Sequence, residues 1–293
     1  MRPDRLVRGA GVAAALVLAA TCAPQAADAH DVGSTSSRPV DTSFHHPLRI
    51  DNRYFALHPK TTYQYDGTVV DEEGTHRHRV VFTVTDLVKK VHGTWTRVGL
   101  DRDIQDGVLG EAELALFAQD DGRNVRSMGE YPEEYEDGAF VAAPSTWITG
   151  IDSAHGGTLV PGQPTVGEQF VEGKALSIDF YDVGQIVRRN AHTCVPVGCF
   201  RRVLVVDEWS PLAPEDGHQL KYYAPGMGLV RVGASGGDSL ERMVLTRVDH
   251  LGPRATATAR KAALRLDQRG RRTNDVWSQS APAVVDTGST LRH

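Results

Sequence analysis

The strongest constraint on this chain is a two-residue rhythm. From about Asn52 to His250 it divides into short runs rich in Val, Leu, Thr, Phe and Tyr, among them "TTYQYDGTVV", "RHRVVFTVTDL", "AELALFAQD", "ALSIDFYDV", "FRRVLVVDEW" and "ERMVLTRVDHL". Val80, Phe82 and Val84 fall on one face of such a run, and Leu114, Leu116 and Ala118 on one face of another. Apolar residues at every second position suit a strand, whose side chains alternate across a sheet, and not a helix with a 3.6-residue period. Each run ends at or near Gly, Asp, Asn or Pro, the residues that turns demand. No long helical stretches alternate with the strands, so the sheet is expected to be antiparallel.

The expected fold is therefore all-β, a single domain over residues 51–252. An antiparallel meander of that size forms a curved sheet, a partial barrel or a sandwich-like arrangement. The stretch from Pro144 to Gly167, with Pro161, Pro164 and several glycines, reads as a long connection between two halves of the sheet.

The two ends have a different character. Arg2, Arg5 and Arg8 precede the apolar run from Gly11 to Ala20, and Ala27-Asp28-Ala29 offers a small-x-small cleavage pattern. That order predicts a signal peptide over residues 1–29 and a secreted protein, with lipid anchoring through Cys22 in "LAATC" as the alternative. Residues 30–50 read as a flexible lead, 253–270 as a short basic helix, and 271–293 as a disordered tail.

Net charge is −5, but it is unevenly spread. Eight basic and three acidic residues lie from Arg254 onward, and three basic and two acidic residues lie through Ala29, which leaves −11 on the body between. An acidic body excludes a basic nucleic-acid-binding face. The basic tail, with Arg254, Arg260, Lys261, Arg265, Arg269, Arg271 and Arg272, offers contact with an anionic cell-envelope surface.

Cys194 and Cys199 in "TCVPVGC" are the cysteines left after signal removal. A C-x4-C pair around Pro196 and Gly198 in an exported chain predicts a disulfide closing a short loop.

Candidate sites are few. In "LDRDIQDGVLGEAE", Asp101 and Asp103 share one strand face, Glu111 and Glu113 share another, and Asp106-Gly107 supplies the turn between them. If the two segments pair, four carboxylates converge as a calcium site or a hydrolase acid/base pair would need; the ordinary expectation is a solvated strand face. His76 and His78 share a face, and with His45, His46 or His92 they make a weak candidate for zinc or copper. "GASGG" matches the nucleophile-elbow pattern around Ser235 by letters, yet its flanks read as strand, loop, strand. "DDGRN" at 120–124 fails the spacing of a calcium loop and reads as a hairpin turn.

"ELALFAQDDGRNVRSMGE", "CVPVGCFRRVLVVDEWSPL" and "KYYAPGMGLVRV" together resemble an uncharacterised group of bacterial secreted proteins and lipoproteins, over roughly residues 55 to 250. The resemblance implies an envelope or extracellular β-protein and implies no reaction. The group's hairpin resumes with aromatic residues where this chain has Arg126, Ser127 and Met128, so stacking of a ligand there is not implied. The combined expectation is a secreted, non-catalytic β-protein with no complete catalytic constellation and no resident cofactor, its concave face open to a small apolar or cell-envelope ligand. A hydrolase built on residues 101–113 and a calcium-stabilised protein are the alternatives.

Overall fold

The computed structural model describes residues 43–71, 74–237 and 240–288. The segment expected to be a signal peptide, Cys22 and the lead up to residue 42 lie outside the described residues. Five long strands open the sheet: β1 (Thr61–Asp71), β2 (Gly74–Val91), β3 (Thr94–Gln105), β4 (Val108–Gln119) and β5 (Val125–Glu136). Short pieces follow: β6 (Ala139–Ala142), β7 (Trp147–Ile148), β8 (His155–Gly156) and β9 (Thr158–Val160). The second half contains β10 (Gln169–Ala175), β11 (Phe180–Val195), β12 (Gly198–Trp209), β13 (His218–Ala224), β14 (Gly228–Ser235) and β15 (Leu240–His250). Two helices, α1 (Pro253–Thr273) and α2 (Asp275–Ser278), and a last strand, β16 (Val284–Val285), complete the chain.

All pairings are antiparallel, in the path β6-β5-β4-β3-β2-β1-β15-β14-β13-β12-β11-β10-β8. The sheet is open, as an all-β meander, and it is strongly curved. Turn chemistry explains the connections. His92-Gly93, Asp106-Gly107 and Asp137-Gly138 each hold two successive positive φ angles, the signature of two-residue turns that match strand twist. At 120–124 the Asp120 side chain accepts from Asn124 N at 2.9 Å while Arg123 N donates to Asp120 O at 2.9 Å, so the segment is a hairpin turn.

The connection over 144–167 does more than join two halves. Its strands β7 and β9 pair with β5, and its strand β8 pairs with β10 at the other end of the path. It thus ties the two ends of the curved sheet. Gly156 and Gly157 permit this closeness: a Cβ on them would fall 2.2 Å from Ser127 O and 2.1 Å from Val171 O.

Two cores follow from the two faces. On the inner face, Phe117 of β4 meets Phe82 of β2 and Phe55 at 6.0 Å each, and Phe55 meets Tyr223 of β13 at 5.9 Å. Strands distant in the path touch there, so the inner face is folded on itself and filled by its own side chains. On the outer face, Leu114, Leu116 and Ala118 pack against Ala263 and Leu266 of α1 and against Trp277 of α2.

Two expectations about the ends need correction. The lead is not flexible from Ser43 onward: Leu48 and Ile50 are buried, and Ser43 and His45 both hydrogen-bond Asp121 at 2.5 Å. Those bonds hold the Asp121 carboxyl down to about 2. Nor is 271–288 disordered. The helix runs to Thr273, Trp277 is fully buried beside Tyr131, and β16 adds to β2 through Val284↔Val88. One large aromatic residue in a polar tail, given a matching pocket, supplies the burial that the tail's composition lacked.

Candidate functional site

The acidic strands do pair. Asp101 stands opposite Glu113 and Asp103 opposite Glu111 in the β3–β4 ladder. All four point to the inner face and are only 2–6 % exposed, so the solvated face expected from their alternation is overturned. The physical reason is that β4 is covered twice, by α1 on its even residues and by the inner core on its odd ones. Asp106 is left outside at the turn, where its carboxylate meets His76 Nδ1 at 2.8 Å.

The structure adds members that the sequence did not single out. Glu130 of β5 lies within electrostatic range of Asp182 of β11 and Lys221 of β13, two strands that flank β12 far from β5 in the path. Glu172, Asp182 and Glu208 surround the fully buried Lys221, whose ammonium contacts Glu208. Trp147 Nε1 donates to Glu130 Oε2 at 3.2 Å from the tying connection. The signal was partly present: Asp182 in "YDVG" lies two residues from Phe180, and Glu208 in "VVDEW" follows Leu204 and Val206 on one face, while Glu172 in "FVEGKA" alternates with Lys174.

Carboxylates outnumber cations in this seam, and burial decides their state. Desolvation, followed by neighbouring carboxylates, pushes Glu111 and Glu113 well above the usual range. Burial likewise drives Glu172 well up and lifts Asp182 to about 8, with Lys221 offsetting part of the effect. Burial thus favours the neutral, protonated form of each group. Glu113 Oε1 and Glu130 Oε1 have no hydrogen-bond partner among the described residues. A polymer substrate cannot reach carboxyls this enclosed without opening the sheet. Among the described residues, no three of these acids bring their oxygens within 4.8 Å of one another as a calcium site would require.

The histidines are dispersed. His78 is sandwiched between Asp103 (2.6 Å) and Glu241 (2.7 Å), His45 serves Asp121, and His92 sits in the β2–β3 turn. Among the described residues they do not converge as metal ligands. Cys194 and Cys199 are joined as a disulfide between directly opposed residues of β11 and β12, so their sulfurs and the nearby His192 form no metal centre. Ser235 ends β14, and among the described residues before β15 no helix is present to raise a nucleophile. In α1, Arg260 forks onto Asp86 and Arg269 reaches Glu133 at 2.8 Å. Those two arginines are occupied by the sheet, while Arg254, Lys261, Arg265, Arg271 and Arg272 remain exposed.

A groove of about 680 Å³ lies on the outer face beneath the first turns of α1. Thr62, Thr83 and Leu100 of the sheet form its floor, and Leu251, Pro253, Ala255, Ala259 and Ala262 its wall. Small alanines on this side of α1 leave the space open where larger residues would close it. Arg102 and Arg254 stand at its rim, both exposed.

No family model matches the chain, and no curated protein matches it. Among solved structures, it is similar to a predicted exported protein with a YmcC-like fold from Bacteroides fragilis, at 12 % identity and a TM-score of 0.40 over 68 % of this chain and 99 % of that one. It is similar to a predicted lipoprotein from Parabacteroides distasonis, at 12 % identity and TM-score 0.33 over 68 % and 99 % of the two chains. A β-barrel-like protein of the DUF1849 domain from Brucella abortus gives 13 % identity and TM-score 0.34 over 67 % and 100 %. Likeness at this level carries no argument about the chain's role.

Proposed function

We propose that this is an exported, non-catalytic β-protein that holds a small amphipathic ligand, an acyl chain with an acidic headgroup, in the groove beneath α1. Export is supported by the N-terminal sequence, with its arginines, apolar run and Ala27-Asp28-Ala29. Anchoring through Cys22 would place the same groove at a membrane surface.

The observation that carries the reading is the groove itself. An apolar channel of about 680 Å³ is rimmed by Arg102 and Arg254, and neither arginine has a carboxylate partner among the described ion pairs. That volume falls within the range of small-molecule sites. Each methylene taken from water into such a channel is worth about 0.8 kcal/mol before association costs. The filled inner face leaves the groove as the better place for the ligand that the curved sheet suggested.

Displacement of a fluorescent fatty acid by laurate tests it, with native mass spectrometry of the protein as purified. Ala259→Trp, which fills the channel, is expected to abolish binding, and Arg254→Gln to weaken it several-fold. Failure of the wild-type protein to bind laurate, or equal binding by Ala259→Trp, would show that the groove is not a ligand site.

A further inference from the structure

Four arginines meet around a second open cavity of about 600 Å³, remote in sequence from α1. Arg188 and Arg189 come from β11, Arg202 from β12, and Arg53 from the segment before β1. Regular alternation would send Arg188 and Arg189 to opposite faces of the sheet. Here the β11–β12 register shifts between Ile186 and Arg188 and again between Arg188 and Ala191, and Arg202 takes a left-handed φ of 57°. Bulges re-aim side chains, and these leave all four consecutive residues from Val187 to Asn190 exposed. The Cys194–Cys199 disulfide joins opposed residues further along the same hairpin and fixes its register beyond the irregular stretch.

The charge arrangement is unlike the rest of the body. No Asp or Glu lines the cavity. None of the four arginines takes part in an ion pair among the described residues, whereas Arg79, Arg97, Arg123 and Arg126 each face a carboxylate. Arg53 instead stacks over the Tyr54 ring at 5.4 Å. Like charges gathered on a chain whose body carries excess acid repel one another, and a bound anion relieves that repulsion.

We propose that this cavity binds a phosphate monoester group. Guanidinium forks match the oxygens of such a group two at a time, and its double charge suits several arginines together. The volume exceeds a phosphate alone, and Val166 and Val187, 56 % and 38 % exposed, give it apolar walls for the body that carries the phosphate. A soluble phosphorylated metabolite and a phosphomonoester lipid headgroup present this chemistry equally. The site stands independently of the groove under α1.

Calorimetric titration with glycerol 3-phosphate, and co-sedimentation with phosphatidylcholine vesicles with and without phosphatidic acid, separate the two sources. Saturable one-site binding to at least one probe is expected, reduced more than tenfold in Arg188→Gln/Arg189→Gln and unchanged in Arg201→Gln, an exposed arginine that does not line the cavity. Binding of glycerol 3-phosphate identifies a soluble ligand, and binding to the phosphatidic acid vesicles alone a lipid headgroup. Absence of binding to both probes overturns the proposal, as does an equal loss in Arg201→Gln, which marks a diffuse positive field. The exposed side chains allow the variants to fold, which matching circular dichroism melts verify.

Discussion

Lys89 Nζ lies 2.7 Å from Asp267 Oδ1, an ion pair between β2 and α1 from which solvent is excluded. Asp267 also accepts from Trp277 Nε1 and from Ala283 N, both at 3.0 Å. The lysine donates to Ala281 O at 2.6 Å, and its ammonium sits 4.4 Å from the Trp277 ring centroid. One carboxylate therefore fastens the sheet, the helix and the chain that follows. Burial pulls the Lys89 ammonium below its ordinary range, and Asp267 restores part of the difference.

Removing one partner strands the other as a buried charge, which typically costs about 3–5 kcal/mol. Urea unfolding of Asp267→Ala should show a loss of that order, while Lys89→Met/Asp267→Leu loses less than the two single changes summed. A loss below about 1 kcal/mol in Asp267→Ala would mean that apolar packing alone holds the C-terminal segment.

His78 supplies a pH signature. Burial pushes the imidazole down, but hydrogen bonds and charge from Asp103 and Glu241 outweigh it and raise the group from 6.5 to about 10. A raised histidine stabilises fully below its unfolded value and loses that contribution as pH rises through the folded one. NMR of the imidazole should therefore show His78 protonated at pH 8. His78→Gln should cost stability at pH 6 and progressively less as pH approaches 10.

Asp182 acts in the same direction for a different reason. Its carboxyl is raised by burial from 3.8 to about 8, so between those values the folded state holds a proton that the unfolded state releases. Stability should fall as pH climbs from 4 to 8, by up to about 6 kcal/mol for this one group. Asp182→Asn is expected to flatten that part of the profile, read from urea midpoints. An unchanged slope would assign the pH dependence to the other seam carboxyls.

The disulfide closes few residues, so the unfolded chain loses little freedom through it. Cys194→Ser/Cys199→Ser should lower stability by about 2 kcal/mol and leave the fold intact. A much larger loss would show that the bulged register of β11 and β12 depends on the crosslink.

Calcium followed by chelator should leave Tm unchanged. Burial favours the protonated form of Glu111 and Glu113, Asp103 already faces His78, and a cation would have to displace these arrangements without a preformed oxygen cage. A chelator-sensitive Tm would restore the calcium reading of Asp101, Asp103, Glu111 and Glu113.

Much of the architecture was legible because backbone geometry is local. Val80, Phe82 and Val84 repeat at the strand period, and Asp106-Gly107 fits the dihedrals of a tight hairpin. The turn at 120–124 was legible for the same reason, since Asp120 and Asn124 satisfy the turn's own backbone. The seam was legible only in part. Asp101, Asp103, Glu111 and Glu113 could be placed on shared faces, but Lys221 and Glu130 meet only when strands distant in sequence curl together.

What the sequence determined by itself is the alternation, the turns and the antiparallel order, because each depends on residues a few positions apart. Which face of each strand would be enclosed was decided by the tertiary structure. A period of two separates two faces without ranking them, and on β4 both are buried: one by α1, the other by the sheet's own curvature. The same long-range closure turned an apparently solvated row of acids into a buried seam, and brought four scattered arginines to one cavity.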